Sequence, residues 1–166
     1  MDKVCDCVIN VLNEMMVDGI KYEKIAGSYY DQMLFDNDEL SDYLDDLFEV
    51  SKKEKTIYDY IKIDSSIERD FARACEQRDD IKFYFKLPFW FKIETPLGTY
   101  NPDWALVYEN DKKVYFVAET KGVNNIDDPS LSDAERFKIK CGKNHFKQFA
   151  DVEFKAPVKT LNDVTR

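Results

Sequence analysis

Two apolar runs, Trp104 to Tyr108 and Val114 to Ala118, flank the polar turn Asn110-Asp111-Lys112. Short apolar runs joined by a three-residue polar loop describe a β-hairpin. With the loop centred on Asp111, Asp103 falls opposite Glu119, and opposed residues of an antiparallel pair share a face. Lys121 lies two residues past Glu119 and shares that face too. Thr120, between them, turns its side chain to the other face. The hairpin therefore brings two carboxylates and an ammonium to one spot at its open end.

Those residue types point to a chemistry. Carboxylate oxygens suit Mg2+, with Mn2+ as a substitute. Mg2+ usually takes one or two protein carboxylates and keeps several waters. The expected ligands are Asp103, Glu119 and the backbone carbonyl of Thr120. Lys121 can orient or deprotonate a metal-bound water, or stabilise charge on a reacting phosphate. This is the geometry a hard divalent cation needs for phosphodiester hydrolysis. Pro-Asp followed by Glu-x-Lys is a short pattern in a chain with 34% charged residues. The same letters describe a Pro-Asp turn and a surface Glu-Lys pair. The hairpin register separates the two readings, because a chance match need not place all three side chains on one face.

The pattern resembles the PD-(D/E)xK nuclease superfamily, and its surroundings narrow the resemblance. Phe83-Tyr84-Phe85-Lys86-Leu87-Pro88, Trp90 to Gly98 and Tyr100-Asn101-Pro102-Asp103-Trp104-Ala105 resemble the C-terminal endonuclease domain of type III restriction enzyme Res subunits. So do Tyr58-Asp59-Tyr60-Ile61 and Asp64-Ser65-Ser66-Ile67-Glu68 upstream, and Lys138 to Lys143 with His145-Phe146 downstream. Even Asp18 to Glu23, Tyr29-Tyr30 and Leu34-Phe35 resemble the segment ahead of that domain. The resemblance covers nearly the whole chain and is densest between Asp64 and Gly122. It implies a Mg2+-dependent endonuclease acting on double-stranded DNA in restriction–modification and phage defence. It also implies an α/β, restriction-endonuclease-like core: a central mixed β-sheet flanked by helices. Res subunits carry a helicase-like motor, yet none of the five glycines opens a Gly-Lys-Ser/Thr phosphate loop. The expectation is a nuclease region whose motor and modification (methyltransferase) subunit are supplied elsewhere. The resemblance also adds Glu68 to the catalytic set, since relatives often place an acid on the helix before the sheet. Ser65-Ser66-Ile67-Glu68 equally fits a capping box, in which Glu68 serves the helix start.

The net charge of −9 suits a DNA enzyme poorly until it is divided along the chain. Residues 1–60 carry all of it and residues 61–166 sum to zero, with +3 in residues 131–166. The acidity is densest from Asp36 to Glu49, which reads as an acidic amphipathic helix with Leu40, Tyr43, Leu44, Leu47 and Phe48 on its apolar face. Such a surface repels DNA, so substrate is expected on the other side. No apolar run is long enough for a membrane span. Asp2, Asp6 and Glu14 interrupt any signal-peptide core. Cys5, Cys7, Cys75 and Cys141 lack metal-site spacing, and the expectation is a cytoplasmic protein with reduced thiols.

The chain divides into an N-terminal α+β appendage, residues 1–55, and a nuclease domain, residues 56–166. In the first, a helix over 3–16 shows Val4, Val8, Val11, Leu12 and Met15 on one face. A hairpin over 20–35 and the acidic helix to about Val50 follow, with Lys52–Lys55 as a polar link. In the second, a helix over 66–78 precedes strands over 81–86, 89–95, 100–108 and 113–120, a helix over 133–149 and a strand over 152–158. The strands are apolar on both faces, which predicts a sheet covered on both sides. Arg136, Lys140, Lys143 and Lys147 fall on one helical stripe, either a DNA-backbone contact or a solvated face. His145, the only histidine, reads as a packed helix residue, and Trp90, Phe91 and Trp104 as core. The rival to an enzyme is a catalytically silent nuclease-fold module for docking to motor or modification subunits or to DNA. A third reading is a free-standing nuclease with another role.

Overall fold

The computed structural model describes residues 2–19, 47–109 and 113–165. The elements in chain order are α1 (Asp2–Gly19), β1 (Leu47–Glu49), a 3-10 turn (Lys53–Lys55), β2 (Tyr60–Lys62) and α2 (Ser66–Gln77). There follow β3 (Ile81–Lys86), β4 (Trp104–Glu109), β5 (Lys113–Thr120), α3 (Asp133–Phe146), β6 (Val152–Val158) and α4 (Leu161–Val164). The main sheet has the order β3-β4-β5-β6. Its first three strands are antiparallel, and β6 returns through α3 to lie parallel to β5. This is a mixed sheet flanked by helices, a restriction-endonuclease-like fold.

The alternation of β4 and β5 fills two cores. Trp104, Leu106 and Ala118 face α2 and α4, packing with Phe71, Cys75, Leu161 and Val164. Ala105 and Val117 face α3, packing with Phe146 and Phe154. Trp104 is wholly buried, 5.3 Å from Phe71 between ring centroids, so this tryptophan is core, as the sequence indicated. Trp90 and Phe91 pack against the second core. β4 and β5 pair in the expected register, with Trp104 opposite Ala118 and Glu109 opposite Lys113.

Several expectations need correction. No strand runs over 89–95. Pro88 starts a turn closed by the Phe91 N–H on its carbonyl at 2.9 Å, and only Ile93 bridges to Tyr100. Pro96 cannot donate to a ladder, and Gly98 (φ 96°) turns the chain back, so β3 pairs with β4 directly. Leu47–Glu49, assigned to the end of the acidic helix, form β1 against β2. Phe48 and Val50 are buried with period two, the signature of a strand. The expected hairpin over 20–35 and the rest of the acidic helix lie outside the described residues. α1 buries Val17 against Phe137 and Cys141 of α3, while Val8, Val11, Leu12 and Met15 are exposed. α3 ends at Phe146 rather than 149, closed by shorter turn bonds through Gln148 and Phe149.

The Lys52–Lys55 segment is more than a polar link. Lys55 is buried, and its Nζ donates to the carbonyls of Cys75, Glu76 and Arg78 at 3.5, 3.1 and 2.6 Å. These are carbonyls the end of α2 leaves without helical partners. Burial lowers the Lys55 pKa. Lys55→Met keeps the apolar stem but removes the donors. The expected loss is about 1–3 kcal/mol, read as a lower urea midpoint with an unchanged slope.

Candidate active site

The β4–β5 register carries one residue beyond the last ladder pair. The Asp103 N–H donates to the Ala118 carbonyl at 3.2 Å, which leaves Asp103 facing Glu119 at the end of the hairpin. Glu119 is 6% exposed. Asp103 Oδ2 accepts both the Thr120 N–H at 2.7 Å and the Thr120 hydroxyl at 2.6 Å. The same hydroxyl accepts the Trp104 indole N–H at 3.3 Å, on the α2 side of the sheet. Glu119 Oε1 lies 3.3 Å from Lys121 Nζ, and Oε2 accepts the Tyr100 hydroxyl at 3.0 Å. Lys121 also reaches Glu135 Oε1 at 3.4 Å, and Glu135 caps the start of α3 through Ser132.

Two carboxylates share a low-dielectric pocket, and both respond. Burial, then the charge of Asp103, push Glu119 up to about 8 against the pull of Lys121 and Tyr100. Burial raises Asp103 as well, although the two Thr120 bonds pull the other way. Burial alone would lower Lys121, but the neighbouring Glu119 outweighs it and the ammonium is held above its ordinary value.

Glu68 stands across the sheet end from this cluster. Ser65 caps α2 by accepting the Glu68 N–H at 3.2 Å. The Glu68 carboxylate does not complete the box on the Ser65 amide. Its Oε2 accepts the Asp64 N–H at 2.9 Å and the Lys86 ammonium at 2.7 Å. Lys86 pairs opposite Trp104 and so points to the α2 side with it. The charge of Glu68 still contributes to raising Asp103, and that of Lys86 to lowering it. Asp103 therefore lies between two carboxylate–lysine pairs, Glu119–Lys121 on the α3 side and Glu68–Lys86 on the α2 side.

The basic stripe of α3 is divided by its neighbours. Arg136 donates to Asp133 at 3.1 Å and to the Asp128 carbonyl at 2.8 Å. Lys140 pairs with Glu14 of α1 at 3.4 Å, and Lys147 reaches Asn144 at 3.3 Å. Lys143 is exposed and borders a cleft of about 430 Å³ shared with Asn124, Lys155, Val158 and Asp163. Val158 links that cleft to the site, since its carbonyl accepts the Lys121 N–H at 2.8 Å. His145 packs on Phe149, and burial lowers its pKa, as befits a packed helix histidine.

A model described as an endonuclease domain matches residues 54–161, well over half of the chain. The chain belongs to that family. No curated protein and no solved structure matches it. The matched span runs from the 3-10 turn to the start of α4 and holds every site residue discussed above. The endonuclease domain also contains three site neighbours that sequence reasoning did not assign a role: Lys86, Tyr100 and Glu135. Lys86 gave no distinct signal, because Lys82 stands at the same spacing from Tyr84 on its other side. Glu135 was legible as the partner of Ser132 in a capping box. Tyr100 gave none, because nothing local shows that its hydroxyl meets Glu119.

The raised Glu119 carries a stability signature. A carboxyl whose folded pKa lies above its unfolded value holds a proton that the unfolded chain releases. That stabilisation is present at low pH and is lost as pH rises through the folded value. For Glu119 the window runs from 4.5 to about 8. With a chelator present, wild-type Tm is expected to fall across this window more steeply than that of Glu119→Gln. At the upper end the variant is expected to melt higher, by roughly 3 °C per kcal/mol recovered. Parallel Tm curves for the two proteins would contradict the assignment.

Proposed function

We propose that this endonuclease domain is a Mg2+-dependent deoxyribonuclease of a type III restriction system, cutting double-stranded DNA alongside a motor and a modification subunit. The observation that carries the reading is the opposed pair of half-buried Asp103 and buried Glu119, with Lys121 on Glu119, inside the span that matches the family. The donor set suits the ion, because the carboxylates of Asp103 and Glu119 offer hard oxygen. Mg2+ tolerates such an open set because it retains waters and takes substrate oxygens.

Asp103 and Glu119 would hold the ion, with the Thr120 carbonyl as a third oxygen. When bound, Mg2+ supplies a Lewis acid for the phosphate and a water of lowered pKa. The chain does the rest. Thr120 fixes Asp103 through two hydrogen bonds. Lys121, held charged by Glu119, suits stabilisation of the extra negative charge that builds on the phosphate more than removal of a proton from water. Lys143 and Lys155, on the cleft beside Val158, would take the DNA backbone leading to the site. Glu68 would act beside Asp103 while bracing the start of α2.

Nicking of duplex DNA by the purified chain, alone and with its motor and modification subunits, tests this reading. Mg2+ or Mn2+ is expected to support cleavage, and Ca2+ to bind without supporting it well. Lys121→Ala is expected to lose roughly 100-fold or more in rate while keeping its fold and DNA affinity. Full cleavage by Lys121→Ala would refute the assigned role. A wild-type protein that never cleaves, even with its partner subunits, would favour a silent docking module.

A further inference from the structure

Tyr100 lies outside the hairpin yet touches its most buried acid. It is 5% exposed, and its ring sits in the α3-side core, edge-on to Phe154 at 6.1 Å. Its backbone is pinned by a two-way bridge to Ile93, at 2.7 and 2.9 Å. A phenylalanine would fill that slot equally well. What the tyrosine adds is a hydroxyl, and the hydroxyl donates to Glu119 Oε2 at 3.0 Å in a buried setting.

The opposite wall of the slot is Gly142, in the middle of α3. A Cβ there would stand 2.6 Å from Tyr100 Cε1, closer than real contacts allow, and 3.0 Å from Phe154 Cζ, a tight contact. A glycine inside a helix costs about 1 kcal/mol relative to alanine. The close approach of the Tyr100 ring accounts for its presence.

We propose that Tyr100 is a positioning residue for Glu119, and that Gly142 is the gap in α3 that lets it take that position. With Oε2 held by Tyr100 and Oε1 beside Lys121, the carboxylate keeps one orientation at the strand end. A metal ligand that is oriented in advance loses less freedom on binding, and outer hydrogen bonds of this kind typically matter 10–100-fold for metal affinity or activity. The inference rests on the reading of Asp103 and Glu119 as a metal-holding pair.

Mn2+ binding, measured by calorimetry on the full chain with and without duplex DNA, tests it. Tyr100→Phe keeps the ring and is expected to raise the Mn2+ dissociation constant by about 10-fold or more. The metal concentration for half-maximal cleavage is expected to rise in step, with the rate at saturating metal little changed. Gly142→Ala retains the hydroxyl but displaces the ring, and is expected to weaken binding alike. In a Tyr100→Phe background it is expected to add little, since both act on one contact. A Tyr100→Phe protein with lowered Tm and unchanged Mn2+ affinity would overturn the inference and leave the metal site standing. Wild type that binds no Mn2+ under either condition would overturn the metal reading and this inference with it.

Discussion

The pairing of β4 with β5 is the interaction on which the site depends. A sheet register is all or nothing: a slip of one residue would turn every side chain of β5 to the opposite face. Here slippage is opposed from both sides. Trp104, Leu106 and Ala118 must stay in the core beneath α2, and Ala105 and Val117 in the core beneath α3. The burial that holds the sheet together thereby delivers Asp103 opposite Glu119. The placement of these side chains at the open end is a by-product of apolar packing along the hairpin.

That geometry is costly for the folded chain. Burial raises the pKa of both carboxylates at this strand end, and the charge of Asp103 pushes Glu119 up further. The surroundings offset part of the cost through Thr120 on Asp103 and through Tyr100 and Lys121 on Glu119. They do not remove it, since Glu119 still stands at about 8. The proposed divalent cation would offset that cost directly, and such tension is a common condition of functional sites.

Much of this was legible in the sequence. Periodicity gave β3, β5 and β6 their observed limits and α2 to within one residue. The centre of the turn at Asp111 gave the register that aligns Asp103 with Glu119. Failures came where long-range contacts outweighed local pattern. Leu47–Glu49 read as helix because Leu47 and Phe48 continue the apolar stripe of Leu40, Tyr43 and Leu44, but β2 offers a strand partner for Phe48. Residues 89–95 are rich in strand formers, yet the flanking Pro88 and Pro96, with Gly98, prevent a ladder. The helix α1 forms as the pattern predicts, and among the described residues it is Val17, at its end, that finds α3. Lys86 and Tyr100 reach the site from other strands and loops, and nothing in their neighbours along the chain announces this. Glu68 was divided between two roles, and the structure shows why: it serves the start of α2 through Asp64 while its charge reaches Asp103.

The central claim is that a cation is held between Asp103 and Glu119. Paramagnetic broadening by substoichiometric Mn2+ in an amide NMR spectrum tests it most directly. The amides of Asp103, Glu119, Thr120 and Lys121 are expected to vanish first, with that of Glu68 following and the acidic surface of α1 unaffected. Broadening scattered over the exposed acids, with those four amides still sharp, would contradict the account.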